Sequence, residues 1–102
     1  MNNIEDLIFG YVRLIPLGRV TTQTEIARAL GDTSLSRVVS NSLKKVLDVD
    51  YIPSHRVVSN EGRLLDSFVD GGKRGQRRRL INEGLLIKGN KVSLDKYGFY
   101  FW

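Results

Sequence analysis

Three polar residues in a row, Ser54-His55-Arg56, follow a proline and lead into the β-branched pair Val57-Val58. Pro53 fixes its own φ and biases Ile52 towards extended geometry, so Ser54 and His55 are expected at a defined bend, where a pocket floor can be built. A serine beside a histidine raises the question of nucleophilic catalysis. Adjacent residues of an extended segment point to opposite sides, which argues against a hydrogen bond between them, and no G-x-S-x-G elbow surrounds the serine. A hydrolase pair is therefore set aside. The chain has no cysteine, which excludes disulfides and thiolate chemistry, and its single histidine makes a protein-built zinc site an unpromising reading. Neither a metal nor a cofactor is expected.

The elements that must position these residues can be read from hydrophobic spacing. Ile4, Leu7, Ile8, Tyr11, Val12 and Ile15 form the stripe of an amphipathic helix, with Asn3 able to cap it and Glu5 and Asp6 in its favourable first turn. Pro16 and Gly18 end that helix. Thr22 and Glu25 have the spacing of a capping box, which predicts a short helix through Ile26, Ala27 and Leu30 to Gly31. A second helix follows at once, capped by Asp32, Thr33 or Ser34, and buries Leu35, Val38, Val39, Leu43 and Val46. Two short helices joined by a tight turn read as helix-turn-helix.

The outer face of the second helix carries Arg37, Ser40, Asn41 and Lys44 at i, i+3, i+4 and i+7, with no acid among them. It reads as a nucleic-acid contact face, with an ordinary solvated surface as the alternative. Beyond the bend, Val57-Val58 and Arg63-Leu64-Leu65 are expected to pair across a turn at Asn60-Glu61-Gly62. Residues 66–72 form a loop, and a helix opens on Lys73-Arg74-Gly75-Gln76-Arg77-Arg78-Arg79 and ends at Gly84. Cations in a first turn oppose the helix dipole at a cost of about 0.3 to 1 kcal/mol each, so phosphate is a natural neutraliser; a tolerated basic patch is the other reading. Gly89-Asn90 suits a hairpin turn between residues 86–88 and 91–94. The aromatic end, Tyr97, Phe99, Tyr100, Phe101 and Trp102, is expected to pack back on the domain, the alternative being an exposed patch for a partner.

The fold class expected is mainly α with small β hairpins, a winged helix-turn-helix over residues 1–102 as a single domain and a monomer. Length fits one small core. With no long apolar run and no charged-then-apolar leader, the chain reads as soluble and unexported, with no membrane partner. Sixteen Lys+Arg against 11 Asp+Glu give a net charge of +5 and a pI of about 9.8, which points to an anionic partner.

The stretch around Ser54 resembles the Pro-Cys-His-Arg-Val signature of the O6-alkylguanine-DNA alkyltransferases, with serine where that family keeps its alkyl-accepting cysteine. The flanks are similar too: Ile15-Pro16-Leu17-Gly18-Arg19-Val20-Thr21-Thr22, then Glu25-Ile26-Ala27-Arg28-Ala29-Leu30-Gly31, then Arg37-Val38-Val39 and Asn41, all at family spacing. The likeness extends over residues 12–84. A chain with this signature and no cysteine resembles the alkyltransferase-like proteins, which bind alkylated guanine in duplex DNA without repairing it.

That resemblance implies a set of roles. The enzymes' cysteine, histidine and glutamate slots fall on Ser54, His55 and, after a longer loop, Glu83, so the supporting groups are kept and the acceptor is lost. An alcohol is a far weaker acid than a thiol and stays protonated, and no alkyl transfer is expected. Arg37 takes the place of the family's arginine finger, which fills the gap left by a flipped base; Leu43 lines the pocket wall with Ser54 and Gln23. Thr22, Gln23, Ser40, Asn41, Lys44, Asn60, Lys73, Arg74 and Arg77 are the expected DNA contacts. Gln23 stands where the family has a tyrosine, and Val46 where it has an asparagine. Serine at the floor and the longer loop are expected to leave room for groups larger than methyl. The function implied is a non-enzymatic sensor that flags O6-alkylguanine for nucleotide excision repair proteins, in the cytoplasm at the nucleoid or in a nucleus, according to the organism. The alternatives are a catalytic-cysteine-to-serine variant of a true alkyltransferase and a winged-helix transcription regulator.

Overall fold

A computed structural model describes residues 3–101, the side chain of Asn3 excepted. The caps and contacts expected of Asn3 and Trp102 lie outside the described residues. Helix α1 spans Asn3–Leu14, and its stripe buries Ile8 and Val12 completely, with Ile15 just beyond it; Leu7, expected on that stripe, lies at its edge and is exposed. Strand β1 is the pair Thr21–Thr22, and α2 runs from Gln23 to Ala29. The Thr22 hydroxyl accepts the Glu25 N–H at 3.0 Å, as the capping box requires. The Glu25 carboxylate turns instead to Arg28 and to the Phe101 N–H.

A short 3-10 turn, Thr33–Leu35, is capped by Asp32 and leads into α3, Ser36–Leu43. The two helices pack as the expected helix-turn-helix, with Val39 and Leu43 buried against Ile26, Ala27, Ile8, Val12 and Phe101. Val46, expected on the α3 stripe, lies past the helix end and forms a small cluster with Val49 and Phe68.

Strand β2, Val57–Val58, pairs with β1 in parallel, Thr21 opposite Val57 and Thr22 opposite Val58. This corrects the expected pairing of Val57-Val58 with residues 63–65: a parallel partner needs a long crossover, and α2 and α3 supply it. The two valines point to opposite faces, as strand geometry demands. Val57 joins the cluster under the helix-turn-helix, while Val58 joins a second one with Val20, Leu64, Leu80, Leu85 and Val92. A two-residue strand thereby joins both halves of the interior.

The second expected hairpin is also reshaped. Residues 62–64 take the antiparallel partner, with Leu64 N–H on Asn90 O and Val92 N–H on Gly62 O, both at 2.9 Å. Gly62 makes this approach possible, since a Cβ there would meet Val92 O at 2.4 Å. The turn at Gly89 is present, but the chain beyond it forms a helix, α5 (Leu94–Tyr97), capped by Ser93. Between these lies α4, Gly72–Asn82. Phe99 and Phe101 return to the core as expected, their rings stacked edge to face at 5.3 Å, whereas Tyr100 is exposed. Among the described residues no helix is long and apolar enough to cross a membrane.

Candidate functional site

Ser54–Arg56 forms a tight 3-10 turn, not the extended segment the proline suggested. Ser54 N–H bonds back to Ile52 O at 2.7 Å and Arg56 N–H to Pro53 O at 2.9 Å, so the bend is fixed from the backbone. Ser54 and His55 are both buried. Even so, the Ser54 hydroxyl and His55 Nδ1 each lack a hydrogen-bond partner. The two side chains do not form a catalytic pair.

Glu83, which ends α4, is the anchor of this turn. Its Oε2 lies 2.6 Å from His55 Nε2, its Oε1 accepts Arg56 Nε–H at 2.9 Å, and Gly18 N–H reaches Oε1 at 3.3 Å. Arg56 adds a second bond to Oε2 at 3.0 Å and donates to Ile15 O at 2.8 Å. Burial favours the uncharged carboxyl, but hydrogen bonds from Arg56 and then from His55 outweigh it and hold Glu83 below the usual carboxylate range. Burial lowers the His55 pKa against the pull of Glu83. The ring is thus neutral at pH 7 and gives its Nε2–H to the carboxylate, leaving Nδ1 bare.

Above Ser54 is a cavity lined by Gln23, Ser40, Leu43, Ser54, Leu65, Ser67 and Phe68. It brings together the three expected wall residues, Leu43, Ser54 and Gln23. Its free volume is about 10 Å³, enough for one water. The room expected from a serine floor and a longer loop is absent in this state, because the loop folds inward and puts Leu65, Ser67 and Phe68 over the floor. Phe68 is held there by Val46 and Val49, and its ring meets His55 edge to face at 6.3 Å.

The α3 face carries Arg37, Asn41 and Lys44 exposed, with Ser40 half-buried at the cavity wall. Thr22 and Asn60 sit at the start of α2, where Asn60 Oδ1 accepts the Thr24 N–H at 3.3 Å. The basic run of α4 lies apart, none of it in the cavity lining. Several of its charges are answered within the molecule: Lys73 meets Asp66 at 3.6 Å, and Arg79 bridges Asp50 and Asp70 at 3.1 and 2.9 Å. Arg77 donates to Gly89 O, and Arg74 is exposed.

Sequence reasoning assigned no role to Arg56, Gln76 or Phe68. Gln76 is fully buried, donating to His55 O and Val57 O at 3.0 and 2.9 Å and accepting from Leu65 N–H at 2.7 Å. A signal existed: with Gly75, it is the uncharged interruption of the basic run, one helical turn before the core residue Leu80.

Residues 3–85 match the family model for the DNA-binding domain of 6-O-methylguanine DNA methyltransferase. The chain is 31% identical to alkyltransferase-like protein 1 of Schizosaccharomyces pombe, over 100% of this chain and 96% of that protein. It is likewise 31% identical to the DNA base-flipping protein of Escherichia coli, over 88% of this chain and 69% of the relative. A crystal structure of the S. pombe protein in complex with damaged DNA containing O6-carboxymethylguanine superposes with a TM-score of 0.87 at 30% identity, covering 97% of this chain and 96% of that one. With a helix-turn-helix, the serine-bearing turn and a glutamate behind its histidine at these positions, the chain belongs to the 6-O-methylguanine DNA methyltransferase DNA-binding-domain family, as an alkyltransferase-like protein.

Proposed function

We propose that the chain recognises O6-alkylguanine in duplex DNA by turning the base out into the cavity above Ser54, and holds it there without taking the alkyl group. One observation carries this reading: the hydroxyl at the alkyl-acceptor position is buried on a cavity floor and has no base within hydrogen-bond reach. An alcohol needs such a base to become a nucleophile. The neutral His55 commits its Nε2–H to Glu83, so the network stiffens the floor instead of activating Ser54.

Arg37 then fills the space vacated by the base from the exposed face of α3, a role its planar, multivalent guanidinium suits. Thr22, Gln23, Ser40, Asn41, Lys44 and Asn60 lie along the same helix-turn-helix and its adjoining turn; Lys73, Arg74 and Arg77 offer a second set of phosphate contacts on α4. Because the free volume of the cavity, about 10 Å³, is far below that of a purine, entry of the base requires the chain from Asp66 onwards, bearing Ser67 and Phe68, to lift. Holding an unrepaired lesion has a use if another system removes it, and nucleotide excision repair is the process assigned here.

The test is binding to otherwise identical duplexes containing guanine or O6-methylguanine, at two salt concentrations, with a labelled methyl group. The expected result is at least about tenfold tighter binding to the lesion, which is roughly 1.4 kcal/mol. A shared salt slope of roughly 0.9 per neutralised phosphate should accompany it, with no label left on the protein. Equal affinity for both duplexes would point to a plain DNA-binding regulator, and label on Ser54 would point to an alkyltransferase; either overturns the reading.

A further inference from the structure

Of the described residues that line the cavity, Ser54 alone has a side-chain oxygen both sealed from solvent and without a partner. Residue 54 is 4% exposed; Leu43, Leu65 and Phe68 around the same space offer it nothing to bond, and the other polar side chains of the lining, Gln23, Ser40 and Ser67, do not bond it. A buried polar group left unpaired has already lost its water, so a ligand that satisfies it gains a hydrogen bond with little further desolvation cost on the protein's side. A hydroxyl both donates and accepts, and can rotate to suit an incoming oxygen or nitrogen.

Resting on the recognition reading above, we infer that the cavity selects O6 adducts by polarity as well as by bulk. Substituents with a hydrogen-bonding oxygen or nitrogen are favoured over alkyl groups of the same size, and Ser54 is the residue that sets this preference. A pocket of hydrocarbon alone distinguishes two such groups weakly and in the opposite sense, because the polar one loses its water on entry.

Duplexes of one sequence carrying guanine, O6-propylguanine or O6-(2-hydroxyethyl)guanine test this, since the two adducts have the same number of heavy atoms. Dissociation constants are measured for the natural protein and for Ser54→Ala, whose thermal melting checks the fold. The natural protein should bind the hydroxyethyl adduct about fivefold more tightly than the propyl one, the size of a net hydrogen bond. In Ser54→Ala the order should vanish or reverse. An unchanged ratio in the variant, or propyl bound as tightly as hydroxyethyl by the natural protein, would overturn the inference and leave lesion recognition standing. Equal binding of all three duplexes would instead remove the recognition reading beneath it.

Discussion

Two carboxylates of this protein are held in the same way and do different work. Glu25 binds Arg28 through both oxygens at 2.8 and 2.7 Å and takes the Phe101 N–H at 2.8 Å; Glu83 binds Arg56 and takes the Gly18 N–H. Each uses a forked guanidinium and a backbone donor to tie distant segments together. Glu25 fastens the C-terminal aromatic segment to the helix-turn-helix, with Arg28 45% exposed at side-chain level. Glu83 fastens the Ser54 turn to the end of α4, with Arg56 at only 15%, and it alone adds a histidine. Water can replace much of what the first loses, but little of what the second loses.

The largest effect should therefore come from Glu83→Ala, which strands Arg56 and His55 in a dry setting. We expect a loss of about 3 kcal/mol or more, and a fall in Tm on the order of 15 °C in thermal melting. Glu25→Ala should cost less, about 2 kcal/mol, because Arg28 rehydrates, although the Phe101 N–H loses its bond to the carboxylate. An equal loss for both would show that the histidine and the drier setting add nothing.

A smaller, sharper contrast lies in pH. His55 and Glu83 both have folded pKa values below their ordinary 6.5 and 4.5, and Glu25 is held low chiefly by Arg28. Below those values the unfolded chain binds more protons than the folded one, so stability is full above pH 6.5 and is lost as pH falls. Denaturant titrations from pH 8 downwards should show a first decline from the histidine, then a second from these two carboxylates together with Asp32, which its bonds to Ser34 also hold low. His55→Gln should remove the first and keep the second; a first decline that survives this substitution would separate it from His55.

Local chemistry made much of the fold legible. The α1 stripe apart from the exposed Leu7, the Thr22 cap, the helix-turn-helix and the Gly89 turn all follow from spacing and single residue types, and each appears. The parallel pairing of Thr21–Thr22 with Val57–Val58 was not legible, since two residues are too few to show alternation and the partner lies beyond two helices. The same limit hid Arg56, whose carboxylate partner is 27 residues away, and Gln76, whose bonds run to backbone atoms no side-chain pattern encodes. The α5 helix was masked because Lys91-Val92-Ser93-Leu94 has strand-like alternation while Ser93 is in fact a cap.

Gln76 acts as a rivet through three layers of chain. One carboxamide pins the carbonyls on either side of Arg56 and, by its other end, the amide at which the covering loop begins. The platform and the near end of its cover are thus bolted to a single helix and travel together. Widening of the space between them falls to the chain from Asp66 onwards, where Asp66 and Ser67 are exposed and Gly71 and Gly72 have positive φ.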